Sequence, residues 1–520
     1  MSPDGRADGG TGDGEPVSEH DVVIVGGGPT GLLLACELSL AGVGAVVVER
    51  LTEPTRTSRS LVLGQRPAEC FAQRGLDWFA DNPRVREFKF GLLDLTSVVP
   101  PETLPIRVQQ WRMERLLEAR ARELGVDVRR GHETVGLDQD GSGATVRVRS
   151  AAGEYRLRGS WVVGCDGAHS TVRKAAGIGF PGTPSTTYAI TGEMALVDEP
   201  FPGRVFIDLF ERGIVSIVPL APLEPGMHRV MAVQFETGPP GRDTPVTADE
   251  QRDAVRRVGG IDLTIGEVRW LSRFGNATRL AETYRKGRVL LAGDAAHVHF
   301  PSGGPGLNTG VQDAVNLGWK LAAEINGWAP PGLLDSYHDE RHPVGARVCR
   351  NSRAQTALMH PLDTVGPLRE LFAEIMRAGQ AEAGRHLIET LNGLDVRYPP
   401  APGAQDAHPL IGRRVPHVTL NTPEGPIPFA HTLHSARGVL LDLSGGGLDR
   451  AGIAGWRDRV DLVSADPVPE LAASAVLVRP DGYAAWAGGT GAAEDTGDVA
   501  GLRSALATWF GDPVGATAAI

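Results

Sequence analysis

The chain has 520 residues, 41% of them apolar, which is enough to bury more than one core, so two or three domains are expected. A net charge of −11 with no dense Lys/Arg tract excludes nucleic acid or an anionic membrane surface as the main partner, and no apolar run approaches the ~20 residues needed to cross a bilayer. The four cysteines, Cys36, Cys70, Cys165 and Cys349, stand far apart without a CxxC pair, so neither a disulfide framework nor a metal site is expected and the protein is placed in the reducing cytoplasm.

Residues 1–17, rich in Gly and Asp and without an apolar segment, read as a disordered tail. The buried-strand run 21–25 then leads directly into Gly26-Gly27-Gly28-Pro29-Thr30-Gly31 and a helical segment, 32–40. In this strand–turn–helix setting Gly26 permits the sharp turn, Gly28 lets a pyrophosphate approach the backbone, and Gly31 allows close helix–strand packing. A second strand, 45–48, ends at Glu49-Arg50, where a carboxylate can hold a ribose hydroxyl. A dinucleotide is thereby expected; the fingerprint does not choose between NAD and FAD.

The segment 55–75 carries Arg56, Arg59 and Arg66, which can clamp phosphate or form a solvated helix face. Gln110 stands at the entry of an amphipathic helix ending near Gly125, where an amide can reach a cofactor or cap the helix. Strands over 126–128 and 144–148 follow, and a third apolar strand, 161–164, ends in Cys165-Asp166-Gly167. Asp166 can hold the loop around Gly167 and Arg173 near a pyrophosphate or cap the next helix. From 180 to about 273 the pattern changes to alternating runs, 188–197, 204–210, 214–219 and 229–235, predicting an inserted antiparallel sheet whose face walls a pocket. Phe206, Phe210 and Phe235 are candidate pocket residues for a flat apolar ligand, although each such residue is more often plain core than ligand wall.

The strand 289–292 ends in Gly293-Asp294, and the loop through Pro301 and Gly303-Gly304-Pro305-Gly306 opens a helix over roughly 307–325. A carboxylate at that tip can accept from a sugar or ribityl hydroxyl, and the helix N-terminus favours an anionic ring edge; the plainer alternative is a βα turn with a capping Asp. Helical patterns cover 333–359 and 367–391, and a Pro/Gly/Ala stretch, 398–405, reads as a linker. The last ~115 residues form a compact α/β unit, with strands 439–443 and 460–463, a hairpin 475–486 turning at Pro480-Asp481-Gly482, and a closing helix 502–510.

Three motifs therefore stand in one order: Gly26 to Gly31 with Glu49, Cys165 to Arg173, and Gly293-Asp294 with its glycine loop. With the details at 293–301, 312–321, 337–343 and Arg479-Pro480-Asp481-Gly482-Tyr483, the chain resembles the class A flavoprotein monooxygenases. Within them it looks like the actinobacterial aromatic polyketide hydroxylases and rifamycin monooxygenases. The resemblance implies an α/β Rossmann-like FAD-binding domain (18–179 and 274–398), an inserted substrate sheet (180–273) and a C-terminal thioredoxin-like domain (399–520) lacking redox cysteines. It further implies FAD as cofactor, with NADPH or NADH and O2 as co-substrates. The expected reaction is hydroxylation of a polycyclic aromatic polyketide through a flavin C4a-hydroperoxide, and the alternative is Baeyer–Villiger or inactivating oxidation of a large aromatic such as rifamycin. A monomer or homodimer is expected.

By the same resemblance, Gly26, Gly28, Pro29, Thr30, Gly31, Glu49 and Arg50 hold the ADP half of FAD, Arg66 stands near the pyrophosphate and Gln110 faces the flavin. Asp166 and Gly167 serve FAD loop packing and NADPH, Gly293 and Asp294 the ribityl chain, and Pro301, Gly306, Leu307 and Asn308 the catalytic face of the isoalloxazine. Pro305, beside the pocket, replaces the family glutamine, so that side chain is missing and the loop's mobility is in doubt. No spacing nominates a general base; His297 and His299 qualify by location alone. The rivals from other classes are a NAD-dependent dehydrogenase, a flavin oxidase and a non-catalytic flavin-binding protein.

Overall fold

The computed structural model describes residues 18–56, 58–235, 244–400, 408–444, 450–488 and 496–514. The expected N-terminal tail and most of the expected linker lie outside these residues. Strands rich in Val, Ile and Leu and buried on both faces need cover from helices on each side, the situation of a parallel sheet. Ser18–Val25, Ala45–Glu49, Asp127–Arg130, Gly153–Gly164 and Val289–Leu291 form that sheet in the order 289–291, 153–164, 18–25, 45–49, 127–130. An antiparallel hairpin, Glu133–Gln139 and Ala144–Ser150, extends from the long strand. Val25 pairs with both Val48 and Gly164, and Gly164 with Leu291, so four strands end in one row. Helix Pro29–Leu40 packs against helix Pro305–Ile325, which is buried continuously from Asn308 to Ala323.

The inserted sheet has five antiparallel strands in the order Phe206–Phe210, Gly213–Pro219, Met227–Phe235, Thr187–Leu196, Ile265–Gly275. The last strand and the helix Ala248–Gly259 were not anticipated. Thr247 caps that helix by accepting from the Glu250 N–H, and Gly260 ends it in the left-handed region. One face, with Ile190, Val215, Val230 and Ala232, packs on this helix; the other, with Ala189, Ile214, Val233 and Phe235, meets Phe300 and Met359. Phe206 and Phe210 belong to the helix-side face, and Phe206 stacks on Phe201 at 3.9 Å. Both are partly buried against that cluster, and only Phe235 of the three candidates lies on the side facing Phe300 and Met359. Period-2 side chains separate the faces, but Met227–Phe235 is buried along nearly its whole length on both, so the sequence offers no inside and outside to choose between.

The C-terminal unit is a four-stranded sheet in the order Val460–Ser464, Gly438–Asp442, Ala475–Val478, Ala484–Gly488, the first pair parallel and the others antiparallel. Helix Thr496–Phe510 covers one face, and Leu506 and Phe510 share a cluster with Trp319 and Ala323 of the helix Pro305–Ile325. The Pro480-Asp481-Gly482 turn is not a surface turn. Arg479 and Asp481 are each 2% exposed, and Tyr483 packs on Tyr398 with ring centroids 4.2 Å apart. Tyr398, expected to begin the linker, is therefore interior. No helix among the described residues is long and apolar enough to cross a membrane.

Candidate functional site

The row of strand ends becomes a cradle through hydrogen bonds just past it. The Gly26 N–H donates to Val48 O (2.8 Å), the Cys165 N–H to Val25 O (2.8 Å) and the Ala292 N–H to Gly164 O (3.0 Å). Gly26 has φ +111°, and a Cβ there would lie 2.3 Å from Cys165 O; one on Gly31 would lie 2.1 Å from Gly26 O. These two glycines let the loops close on each other. Gly28 is different: a Cβ would meet nothing within 4 Å, so its backbone faces open space at the start of helix Pro29–Leu40. That is where a pyrophosphate can meet a helix N-terminus. A Gly28→Val protein is expected to fold normally yet purify colourless, without the 450 nm flavin band. Flavin content at the wild-type level would count against this cradle.

Glu49 braces the turn, its Oε2 accepting from the Gly27 N–H (2.7 Å) and its Oε1 from the Leu51 N–H (2.9 Å). Arg50 beside it is exposed. Asp166 Oδ2 accepts from the N–H groups of Thr171 (2.6 Å) and Val172 (3.1 Å), capping the short helix Thr171–Ala175. Its Oδ1 is buried without a partner among the described residues, and burial pushes the carboxyl above the usual range. An acceptor so placed beside open Gly167 suits a ligand hydroxyl or N–H.

Gly293 adopts φ +62°, and its N–H donates to Asp313 Oδ2 (3.1 Å). The same carboxylate takes His297 Nε2 (2.8 Å) and, on Oδ1, Arg341 Nε (2.8 Å); all three side chains are wholly buried. Burial pushes the Asp313 carboxyl up, but Arg341 and His297 outweigh it and hold it at about 2. His297 is thereby a packed member of this anchor. Asp294, one residue on, is exposed: a Cβ on Gly306 would lie 3.5 Å from Asp294 Oδ1 and 3.8 Å from His299 Cε1. Burial, with His297 next to it, drives the His299 imidazole down to about 4. Its Nδ1 faces Phe300 O (3.2 Å), which assigns the proton to Nδ1 and leaves Nε2 a buried acceptor without a partner among the described residues.

The helix begins at Pro305, two residues earlier than expected. Proline at the first helical position loses no hydrogen bond and has the right φ, so the departure from glutamine does not disturb the helix start. The N–H groups of Gly306 and Leu307 lie in its first turn, where no intrahelical acceptor exists. Asn308 uses its side chain on the protein, accepting from the Gly64 N–H (2.9 Å) and donating to Gly304 O (2.8 Å), so it clamps the loop. Pro301 is exposed at the other end of that loop. Pro305→Gln is expected to leave melting temperature and turnover nearly unchanged, by less than about 1 kcal/mol; a large gain in rate would assign the proline a cost.

Arg66 and Gln110 both have partners within the protein. Arg66 is 1% exposed and committed to the C-terminal hairpin: its NH2 donates to Asp481 O (2.5 Å), its NH1 pairs with Glu69 (3.3 Å), and it lies over the Tyr483 ring at 5.2 Å. Helix Gln65–Ala72 buries the face that carries it. Gln110 also has protein partners, its Oε1 accepting from the Ser60 N–H (3.1 Å) and its Nε2 donating to Glu114 (2.8 Å). The apolar wall that sequence reading missed is the other face of the inserted sheet, with Ile207, Leu209, Met231 and Phe274 beside Phe300. Phe300 immediately precedes Pro301, so this wall runs into the loop that opens the long helix.

A cradle of glycine turns and carboxylates joined to an apolar wall at a helix N-terminus is an arrangement that suits a flavoprotein hydroxylase. The FAD binding domain family model matches residues 19–352, and the aromatic-ring hydroxylase C-terminal model matches 408–513. The chain belongs to the FAD-dependent aromatic-ring hydroxylases, the class A flavoprotein monooxygenases. Among its relatives is the 12-dehydrotetracycline 5-monooxygenase/anhydrotetracycline 6-monooxygenase of Streptomyces rimosus, 44% identical over 513 residues (95% of this chain, 99% of the relative). The rifampicin monooxygenase of Streptomyces venezuelae is 44% identical over 502 residues (94% and 98%). The solved structure of the anhydrotetracycline hydroxylase from Streptomyces rimosus superposes with TM-score 0.85 at 43% identity, covering 95% of this chain and 100% of that one. The protein is an FAD-dependent monooxygenase that uses NAD(P)H and O2.

Proposed function

We propose that this protein hydroxylates a polycyclic aromatic polyketide bound between the 293–308 loop and the apolar face of the inserted sheet. The observation that carries the reading is the row of strand ends Val25, Val48, Gly164 and Leu291, which lines Gly28, Glu49, Asp166 and Asp294 along one sheet edge. These residues suit FAD: open backbone at Gly28, carboxylates for hydroxyls, and helix N–H groups for an anionic ring edge. Bound there, FAD supplies the activation of O2 that no side chain can. The protein's own part is to bind, orient and keep dry. Glu49 accepts a ribose hydroxyl, Gly28 with Pro29, Thr30 and Arg50 faces the pyrophosphate, Asp166 and Gly167 close over it, and Asp294 accepts from the ribityl chain. The Gly306 and Leu307 N–H groups steady the anionic edge, while Phe235, Phe274, Phe300 and Met359 exclude water from the reacting face.

The division of labour is a nucleotide domain over 18–179 and 274–398, a substrate sheet over 180–273 and a thioredoxin-like domain over 399–520 without redox cysteines. The C-terminal strand order and its closing helix support the last assignment. A cytoplasmic monomer or homodimer acting on a small molecule, with neither nucleic acid nor membrane as partner, completes the reading. The 44% identity to a rifampicin monooxygenase favours a second outcome, inactivating or Baeyer–Villiger oxidation of a large aromatic.

The test is anaerobic flavin reduction by NADPH with and without a panel of polycyclic phenols, followed by oxygen admission and product mass and NMR. A yellow protein whose NADPH consumption accelerates with a phenol, and whose product gains one oxygen as a hydroxyl, is expected. A lactone would decide for the second outcome, and a flavin that no phenol stimulates would sink the hydroxylase.

A further inference from the structure

Between the C-terminal hairpin and the helices beneath it lies a cavity of about 10 Å³ that the reading above leaves unused. Its wall includes Arg66 and Cys70 of helix Gln65–Ala72, Gln312 and Val315 of helix Pro305–Ile325, and Asp481 and Tyr483 of the hairpin. Much of the polar chemistry around it is already committed. Asn316 donates to Glu340 (2.7 Å) and Asp481 (2.9 Å), the Tyr398 hydroxyl accepts from Arg341 (3.1 Å), and Asp481 accepts from Arg479 (3.1 Å). Three atoms are left over: Arg66 Nε, Gln312 Oε1 and the Tyr483 hydroxyl are buried without a partner among the described residues. Their residues are 1%, 8% and 3% exposed, so bulk solvent does not serve them.

A buried donor without an acceptor, or an acceptor without a donor, bears the whole cost of having left water. The three atoms also dictate what would satisfy them. Arg66 Nε–H only donates. The Gln312 amide is oriented by its Nε2, which donates to Asn308 O (2.9 Å), so Oε1 is the end that still needs a donor. The Tyr483 hydroxyl keeps its proton, because burial pushes its pKa up, and it can donate or accept. An occupant must therefore both accept and donate. A halide cannot donate to Gln312 and would face the Asp481 carboxylate, while a sodium or ammonium ion cannot accept from Arg66 and would face its guanidinium. Water does both, a buried water makes about three hydrogen bonds, and roughly 10–15 Å³ is the least space that admits one.

We propose that this cavity is a binding site for a single water molecule, which accepts from Arg66 Nε, donates to Gln312 Oε1, bonds the Tyr483 hydroxyl and so joins the C-terminal hairpin to the long helix. The joint extends toward the cofactor side through Gln312, which holds Asn308 O, and through Asn308, which clamps Gly64 and Gly304 ahead of the helix start. The C-terminal unit is thereby tied to the turn that opens that helix. The site is independent of what the turn binds.

The full-length, FAD-loaded protein, crystallised in the presence of bromide and solved at a resolution that shows ordered solvent, tests the occupant. One peak within hydrogen-bonding reach of all three atoms is expected, refining as oxygen and giving no signal at the bromide absorption edge. An anomalous peak, a metal ion or the lack of any density there overturns the proposal. Tyr483→Phe and Gln312→Met, which keep the ring packing and the side-chain length, test the bridge in solution. Each should lower the melting temperature by roughly 1–3 °C, and the two together by clearly less than the sum, because either one already deprives the water of a partner. Tyr483→Phe combined with Arg149→Gln, a surface arginine paired with Glu154, should instead be additive. Additivity of Tyr483→Phe with Gln312→Met overturns the shared water.

Discussion

Asp313→Ala is expected to lower stability by about 3–5 kcal/mol and to leave the protein without flavin. The carboxylate is the meeting point of three elements: the Gly293 N–H at the strand end, His297 past the turn, and Arg341 from the helix Ser336–Ala357. With it gone, a fully buried guanidinium keeps, among the described residues, the Tyr398 hydroxyl (3.1 Å) and Thr309 O (3.3 Å), neither of which neutralises it. Gly293 loses the bond that fixes its left-handed turn, and Asp294 loses its aim. Denaturant midpoints and FAD content measure the two effects. Asp313→Asn keeps the acceptor for Gly293 without the charge, so it should lose stability yet retain more flavin than the alanine. The acid limb has a definite sign. The folded carboxyl sits near 2, below its unfolded value, so its contribution is whole above the ordinary carboxylate range and disappears as the pH falls through about 2. An alanine protein that stays yellow and unfolds with the wild type would remove Asp313 from this role.

Glu340→Ala should cost a similar amount, about 3–5 kcal/mol, but with a different signature. Glu340 receives Lys320 Nζ (2.7 Å), both terminal nitrogens of Arg479 (2.7 and 2.8 Å) and the Asn316 amide (2.7 Å), all out of water. Asp481 alone would then face two cations. Burial already presses the Lys320 amine down to about 8, so the variant's damage should ease at alkaline pH as the lysine sheds its proton. Combining Glu340→Ala with Lys320→Met removes one charge of each sign and should recover part of the loss, a coupling a double-mutant cycle reads directly. The turn at 480–482 should become cleavable by protease in the single variant. Strict additivity of the two substitutions would refute the network.

The nucleotide cradle was legible because its signals are local: a glycine spacing, an acidic strand end, a strand followed at once by a helix. Helix Ala248–Gly259 had an equally local signal, Thr247 three residues before Glu250 with Gly260 beyond the end, and it was overlooked beside the alternating runs. Other features were not local. Asp313, His297 and Arg341 lie in three separate elements, and nothing in their spacing announces a shared carboxylate. Arg66 is one residue of a helix whose buried face only the partner defines, and that partner lies 415 positions away. Pro305 misled in another way, because a proline after two glycines reads as loop although the first helical turn accepts it.

The insertion of Arg479 and Asp481 between the two long helices limits how this protein can be recombined. A chimaera that borrows residues 408–513 from another hydroxylase would bring its own hairpin tip to a socket built from Asn316, Lys320 and Glu340. Where the donor's hairpin lacks an arginine and an aspartate at the places of Arg479 and Asp481, and those three positions do not travel with the graft, the hybrid inherits mismatched charges at its centre, and exchanging substrate scope by tail swapping fails before any substrate is met.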